Sequence, residues 1–172
     1  ATDQDAKLAG LIQAKGRPCV ILVNKWDIYA DKHDRSSGEF VKALRADLPF
    51  VAYAPVVFIS AQTGQRTHRI LGEVDRVRDA AQRRIPTGAL NRFLATTVRH
   101  HQPPVHKGRR LRFYYGSQVA VAPPTFLFWV NDPDAVHFSY ERFILNRLRE
   151  KWNFEGTPIK LIMRKRSNKK PS

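Results

Sequence analysis

The chain has 172 residues, 42% of them hydrophobic, which excludes a disordered polyelectrolyte and suits one domain or two small ones. No apolar run approaches a membrane span, no stretch reads as a signal peptide, and a single cysteine, Cys19, excludes a disulfide framework, so a cytoplasmic protein is expected. The net charge of +15 is uneven: residues 1–82 hold 12 Lys and Arg against 10 Asp and Glu, whereas residues 83–172 hold 18 against 5, a net +13 that suggests a polyanionic partner.

The elements follow in order. Thr2 to Gly16 predicts a helix: Thr2 and Asp5 form a capping pair, Leu8, Leu11 and Ile12 share a face, and Gly16 ends it. Pro18 leads into the strand Cys19 to Val23, whose lack of alternation predicts a parallel strand covered on both sides, with Cys19 as a small buried hydrophobe. A charged loop runs through Ser36. Ser36 and Glu39 then cap a helix with Phe40, Leu44 and Leu48 on one side. Pro49 to Pro55 connects to the strand Val56 to Ser60. Ile70, Val74, Val77 and Ala81 recur at helical spacing up to about Arg84. Helix and strand alternate, which predicts α/β architecture with a parallel sheet.

At Ile85-Pro86 the pattern changes, so a domain boundary is expected between residues 84 and 85. Thr87 is a candidate cap for a helix carrying Leu90, Phe93, Leu94, Thr97 and Val98. Leu111 to Val119 alternates, with Leu111, Phe113 and Tyr115 on one side and Arg112 and Tyr114 on the other. Thr125 to Asn131 is an apolar strand. Ser139 is a candidate cap for a helix with Tyr140, Phe143, Ile144, Leu148 and Trp152, and Ile159 to Arg164 is the last strand. The second part therefore reads α-β-β-α-β over 85–166, with a basic tail at 167–172.

Two loops carry recognisable chemistry. The run Ile21-Leu22-Val23 ends in Asn24-Lys25-Trp26-Asp27, and Phe58-Ile59 ends in Ser60-Ala61-Gln62-Thr63-Gly64. Alone, the tetrapeptide also fits a polar turn after a strand. Two such motifs in this order, each at the carboxyl end of a predicted parallel strand, fit the guanine-reading half of a nucleotide site. Guanine presents N1–H and N2–H2 donors side by side, and the two oxygens of Asp27 answer both. The Ala61 N–H after Ser60 suits the O6 acceptor. Lys25 lays its aliphatic stem over the base, and the Asn24 amide ties the loop to its neighbours. Adenine offers the opposite pattern, so ATP would be rejected.

With these residues in hand, the chain resembles the bacterial GTPase family Der, also called EngA. The nucleotide motifs are common to many GTPases. The more specific strings are Ile85-Pro86-Thr87-Gly88-Ala89-Leu90-Asn91, Pro123-Pro124-Thr125-Phe126, Tyr140-Glu141-Arg142-Phe143 and Phe154-Glu155-Gly156-Thr157-Pro158-Ile159. The resemblance covers the whole chain. It implies part of the second of two tandem GTPase domains at 1–84, a KH-like domain at 85–166, and GTP or GDP as cofactor, with Mg²⁺ only in a longer protein. It further implies action on the large ribosomal subunit and its RNA and contact with a neighbouring GTPase domain; a monomer is expected.

Two departures qualify that resemblance. Neither G-x-x-x-x-G-K-[ST] nor D-x-x-G occurs, so the chain reads as a fragment that begins after the switch segment, without catalytic residues and inactive alone. Nor does any G-x-x-G clamp occur, so RNA contact must rest on charge. The candidates are Arg109, Arg110, Arg112, Arg147, Arg149, Lys151, Lys160, Arg164, Lys165 and Arg166. Tyr114, Tyr115 and Trp129 suit base stacking or, more commonly at strand spacing, cross-strand packing. His100, His101 and His106 lack a partner cysteine or carboxylate and suggest no metal site. Asp132 and Asp134 flank a turn proline. The alternative function is a non-catalytic RNA-binding or intramolecular regulatory module, which would be marked by exposed apolar patches beside the charge.

Overall fold

The computed structural model describes residues 1–32, 37–106 and 109–166, and forms two compact units of mixed α/β structure. Unit 1 comprises residues 1–82 together with 154–158, and unit 2 comprises residues 83–153 and the chain from 159 onward. The expected tail at 167–172, and Ser36 as a helix cap, lie outside the described residues.

In unit 1, α1 (Asp3–Ala14) opens with a full capping box. Thr2 Oγ1 accepts from the Asp5 N–H at 3.3 Å, and Asp5 Oδ2 accepts from the Thr2 N–H at 2.8 Å. Those bonds from Thr2, backbone first, hold the Asp5 carboxyl below the usual range. The helix buries Ala9 and packs Ala6 and Ile12 on Leu44, Leu48, Val51 and Ala54. The expected partners Leu8 and Leu11 instead stay 56% and 55% exposed. Small side chains let α1 approach the 3-10 turn Pro49–Val51, where a Cβ on Gly10 would lie 3.7 Å from Phe50.

Strands β1 (Ile21–Val23) and β2 (Val56–Phe58) pair in parallel, Leu22 opposite Val57. Ile21 and Val23 join the cluster, while Leu22 points away and is 42% exposed. Coverage on both sides, expected from the sequence, therefore fails at β1. Three helices complete the unit: α2 (Trp26–Lys32), α3 (Ser37–Asp47) and α4 (Arg69–Gln82). Helix α4 buries Val77, Ala80 and Ala81, but Val74, expected on the same stripe, is 47% exposed. The returning segment 154–158 is bonded in on both sides: Cys19 N–H donates to Gly156 O at 2.8 Å, and Gly156 N–H to Tyr53 O at 2.9 Å.

In unit 2, α5 (Thr87–His100) begins after Pro86, so Thr87 is its first helical residue and not its cap. A short hairpin follows, β3 (Val105–His106) with β4 (Arg109–Arg110), which the sequence pattern does not announce. Then β5 (Phe113–Ala120) pairs antiparallel with β6 (Thr125–Val130), and β6 pairs in parallel with β7 (Lys160–Lys165). The sheet order is β5-β6-β7, with α5 and α6 (Phe138–Trp152) completing the expected α-β-β-α-β order. His137, not Ser139, caps α6: its ring accepts from the Ser139 N–H at 3.3 Å. Asn153 ends α6 in the left-handed region.

Phe126, Phe128 and Val130 of β6 are fully buried, as are Leu90 of α5 and Ile144 and Leu148 of α6. Tyr140 is buried too; its hydroxyl donates to His101 O at 2.7 Å, and burial pushes its pKa up to about 12. Side-chain amides serve backbone groups that the ladder leaves over. Asn91 both donates to and accepts from Gly116 at 2.8 Å, and Gln118 Oε1 accepts from the Ile85 N–H at 2.7 Å. Asn131 Oδ1 accepts from the Arg112 N–H at 2.7 Å. The two Asn91 bonds occupy the backbone groups of Gly116 that β6 leaves over on the edge strand β5.

Candidate functional site

The parallel pairing of β1 and β2 sets the two motif loops side by side. The register Val23 to Phe58 continues through Ile59 N–H, which donates to Val23 O at 2.9 Å, and Trp26 N–H, which donates to Ile59 O at 3.0 Å. Trp26 is buried and anchors the first loop among aromatic rings, 4.1 Å from Phe58 and 5.5 Å from Phe40 between centroids. Just before that anchor, Asn24 and Lys25 are exposed. Lys25 has φ 59°, a left-handed conformation that costs a side-chain-bearing residue about 1–3 kcal/mol.

Asn24 Oδ1 accepts from its neighbour Lys25 N–H at 2.8 Å and, across the loops, from Ala61 N–H at 3.0 Å. The Ala61 donor, expected to face a ligand carbonyl, is thus engaged by Asn24 in this structure. Ser60 is 1% exposed and works inward: its N–H donates to Gln65 O at 3.1 Å, and its hydroxyl accepts from Thr63 N–H at 3.3 Å. Gly64, at φ 73°, provides the turn that closes this loop. Gln65 seals the loop through its carbonyl, a role invisible in the sequence because a backbone acceptor leaves no residue-type signal.

Asp27 lies in the first turn of α2. Its Oδ1 is out of contact with solvent and has no hydrogen-bond partner among the described residues. A buried carboxylate oxygen without a donor costs about 1–3 kcal/mol or more, which makes this atom the least satisfied polar group of the two loops.

The basic candidates are distributed over several elements. Arg110 and Arg112 line a cavity of about 440 Å³ with Arg99 and Tyr114. Arg147 and Lys151 line another, of about 590 Å³, between α5 and α6, where Arg147 is paired with Glu150. Arg149 lies on α6 and Arg109 in β4, and Lys160, Arg164 and Lys165 are exposed on β7. Arg166 sets its guanidinium 4.9 Å from the centroid of the Tyr114 ring. The turn aspartate and the helix-end histidine are both engaged: Asp132 accepts from the Asp134 N–H in a 3-10 turn, and the His101 ring lies 4.4 Å from that of Phe143. No helix among the described residues is long and apolar enough to cross a membrane.

Residues 84–164 match the family described as KH-domain-like of EngA bacterial GTPase enzymes, C-terminal. The chain is 46% identical over 168 residues to a GTPase Der from Citrifermentans bemidjiense, covering 98% of this chain and 38% of that protein. It is 45% identical over 168 residues to the GTPase Der of Alkaliphilus oremlandii, with the same coverage, and 48% over 164 residues to that of Moorella thermoacetica, covering 95% of this chain and 37% of that one. The chain thus spans about 38% of the length of such relatives.

Proposed function

Because residues 84–164 belong to the KH-domain-like family of EngA bacterial GTPases and the chain is related to GTPase Der over 98% of its length, we propose that it is the guanine-reading and KH-like part of a GTP-binding protein that acts on the large ribosomal subunit. The observation that supports the nucleotide half is the Ala61-to-Asn24 bond at 3.0 Å, which joins both motifs, with Asp27 Oδ1, three residues after Asn24, lacking a partner among the described residues. In this reading Asp27 accepts from N1–H and N2–H2 of the base. Lys25 covers one face of it, Asn24 fixes the two loops, and Ser60 holds the second loop so that the Ala61 N–H is shared with O6. The KH-like part, taken as 85–166, docks its cations on ribosomal RNA, with the nucleotide half, 1–84, setting when it does so.

Phosphate contacts and Mg²⁺ in P-loop GTPases come from a phosphate loop whose consensus this sequence lacks. The 172-residue chain is therefore expected to bind GTP weakly and to hydrolyse none. Calorimetry with GTP and a phosphate-release assay check this; micromolar affinity or turnover above background would overturn it.

Base reading is tested by Asp27→Asn in a chain that also supplies a phosphate loop. The amide puts a donor where both oxygens accepted, so GTP affinity falls and xanthosine triphosphate is preferred. Loss of a charged hydrogen bond costs about 1.5–3 kcal/mol, roughly ten- to hundredfold in affinity. Unchanged affinity with unchanged base preference would remove Asp27 from the site.

A further inference from the structure

Strand pairing in unit 2 creates a surface that single residues do not announce. One face of the β5-β6-β7 sheet carries Gly116, Phe128 and Leu161 toward the helices; a Cβ on Gly116 would meet Phe128 at 2.5 Å and Leu90 of α5 at 3.6 Å. Alternation puts their neighbours on the opposite face. There the register sets Tyr115 beside Trp129 and Trp129 beside Arg164, one row across three strands. The next row is Ser117, Leu127 and Ile162, and Lys160 stands opposite Thr125 beyond it. Tyr115 is 45% and Ile162 42% exposed, Trp129 is half-buried, Leu127 and Thr125 between them are buried, and the Tyr115 and Trp129 rings lie 5.4 Å apart between centroids.

We propose that this open sheet face is a stacking platform for unpaired bases of single-stranded RNA, with Tyr115 and Trp129 taking base faces and Arg164 and Lys160 the adjoining phosphates. The inference deepens the reading of the KH-like part as an RNA-docking module and rests on it. Two aromatic side chains on adjacent strands, flanked by cations, are how open sheets hold unstacked nucleotides. Charge selects the occupant: β5, β6 and β7 contain no Asp or Glu, whereas β7 contains Lys160, Arg164 and Lys165. A protein surface matched to that face would have to bring its own carboxylates; an RNA strand brings one anion per nucleotide. Stacking needs no sequence motif, so the missing G-x-x-G clamp does not count against it. The groove lined by Arg147 and Lys151 holds the half-buried rings of Phe93 and Trp152 but also the carboxylate of Glu150, and the cavity at Arg112 has Tyr114 as its one exposed ring, so the pairing of rings and cations without a carboxylate is found on the sheet face.

The test uses the 172-residue chain with a short oligouridine and an RNA duplex of equal length at low salt. Tyr115→Ala is expected to weaken oligouridine binding roughly tenfold, with Tyr115→Phe restoring it and duplex binding unchanged. Oligouridine quenches tryptophan fluorescence in the wild type but not in Trp129→Phe. Unchanged melting of Tyr115→Ala separates these effects from misfolding. Equal oligouridine affinity in wild type and Tyr115→Ala overturns the platform and leaves RNA docking standing, provided the duplex still binds. No binding of either RNA overturns both. If Tyr115→Ala loses self-association or binding to a separately added GTPase domain, while oligouridine binding is unaltered, the face belongs to a protein and the platform falls.

Discussion

Raising the salt from about 50 to about 200 mM is expected to cost the chain about two decades of affinity for duplex ribosomal RNA. The excess of +13 in residues 83–172 includes Arg147 and Lys151 on one cavity and Arg99, Arg110 and Arg112 on another, and no clamp motif concentrates it. Each neutralised phosphate contributes roughly −0.7 to −0.9 to the slope of log K against log salt, so a handful of contacts gives a slope of about −4. Arg164, Lys165 and Arg166 invite removal together, yet they follow one another along the chain at the end of β7. Arg164 pairs in register with Trp129, Lys165 with Val130 on the opposite side, and Arg166 sits over Tyr114. One bound strand cannot reach all three. Neutralising them is expected to flatten the slope by about one to two units, not three. A salt titration of wild type beside the triple variant measures this. A salt-independent affinity would make the module a protein-docking element.

Gly156→Ala is expected to be the most damaging single methyl in unit 1. Gly156 has φ 73°, and an added Cβ would lie 2.2 Å and 2.7 Å from the two γ-carbons of Val77. The left-handed backbone costs alanine about 1–3 kcal/mol and the overlap about as much again, so a loss of about 3 kcal/mol is expected. For a unit of this size that lowers its transition by about 10–20 °C. Calorimetry reads the shift. Gly72→Ala in α4 is the control, because its Cβ would meet nothing within 4 Å and alanine favours a helix. Equal melting of the two variants would show that Gly156 is not locked into unit 1.

Features set by neighbours along the chain are legible in the sequence itself. The Thr2–Asp5 box is one, since both partners lie in one helical turn. The two motif loops are another, because an apolar run and its polar end suffice to place them at strand termini. Features that depend on distant contacts are not legible in this way. Leu8 and Leu11 look like a buried stripe until α1 meets a turn that only small side chains let close. Simple alternation groups Tyr115 with Leu111 and Phe113, but the register shifts between Phe113 and Tyr115 and turns its ring to the open face. His137 carries no capping signal of the usual kind. Nor does the string after Trp152 reveal to which unit it returns.

That return governs the order in which the protein can be completed as it is made. Residues 1–82 leave the ribosome without the carbonyl that Cys19 needs and the amide that Tyr53 needs; both arrive with Gly156. Between them the whole of 83–153 must be translated, which at ordinary elongation rates takes about 4–14 s. During that interval unit 1 has its strands and helices but not its closing segment, and the buried Phe154 has yet to be supplied. Unit 1, though most of it is made before unit 2, is therefore finished only after most of unit 2 exists.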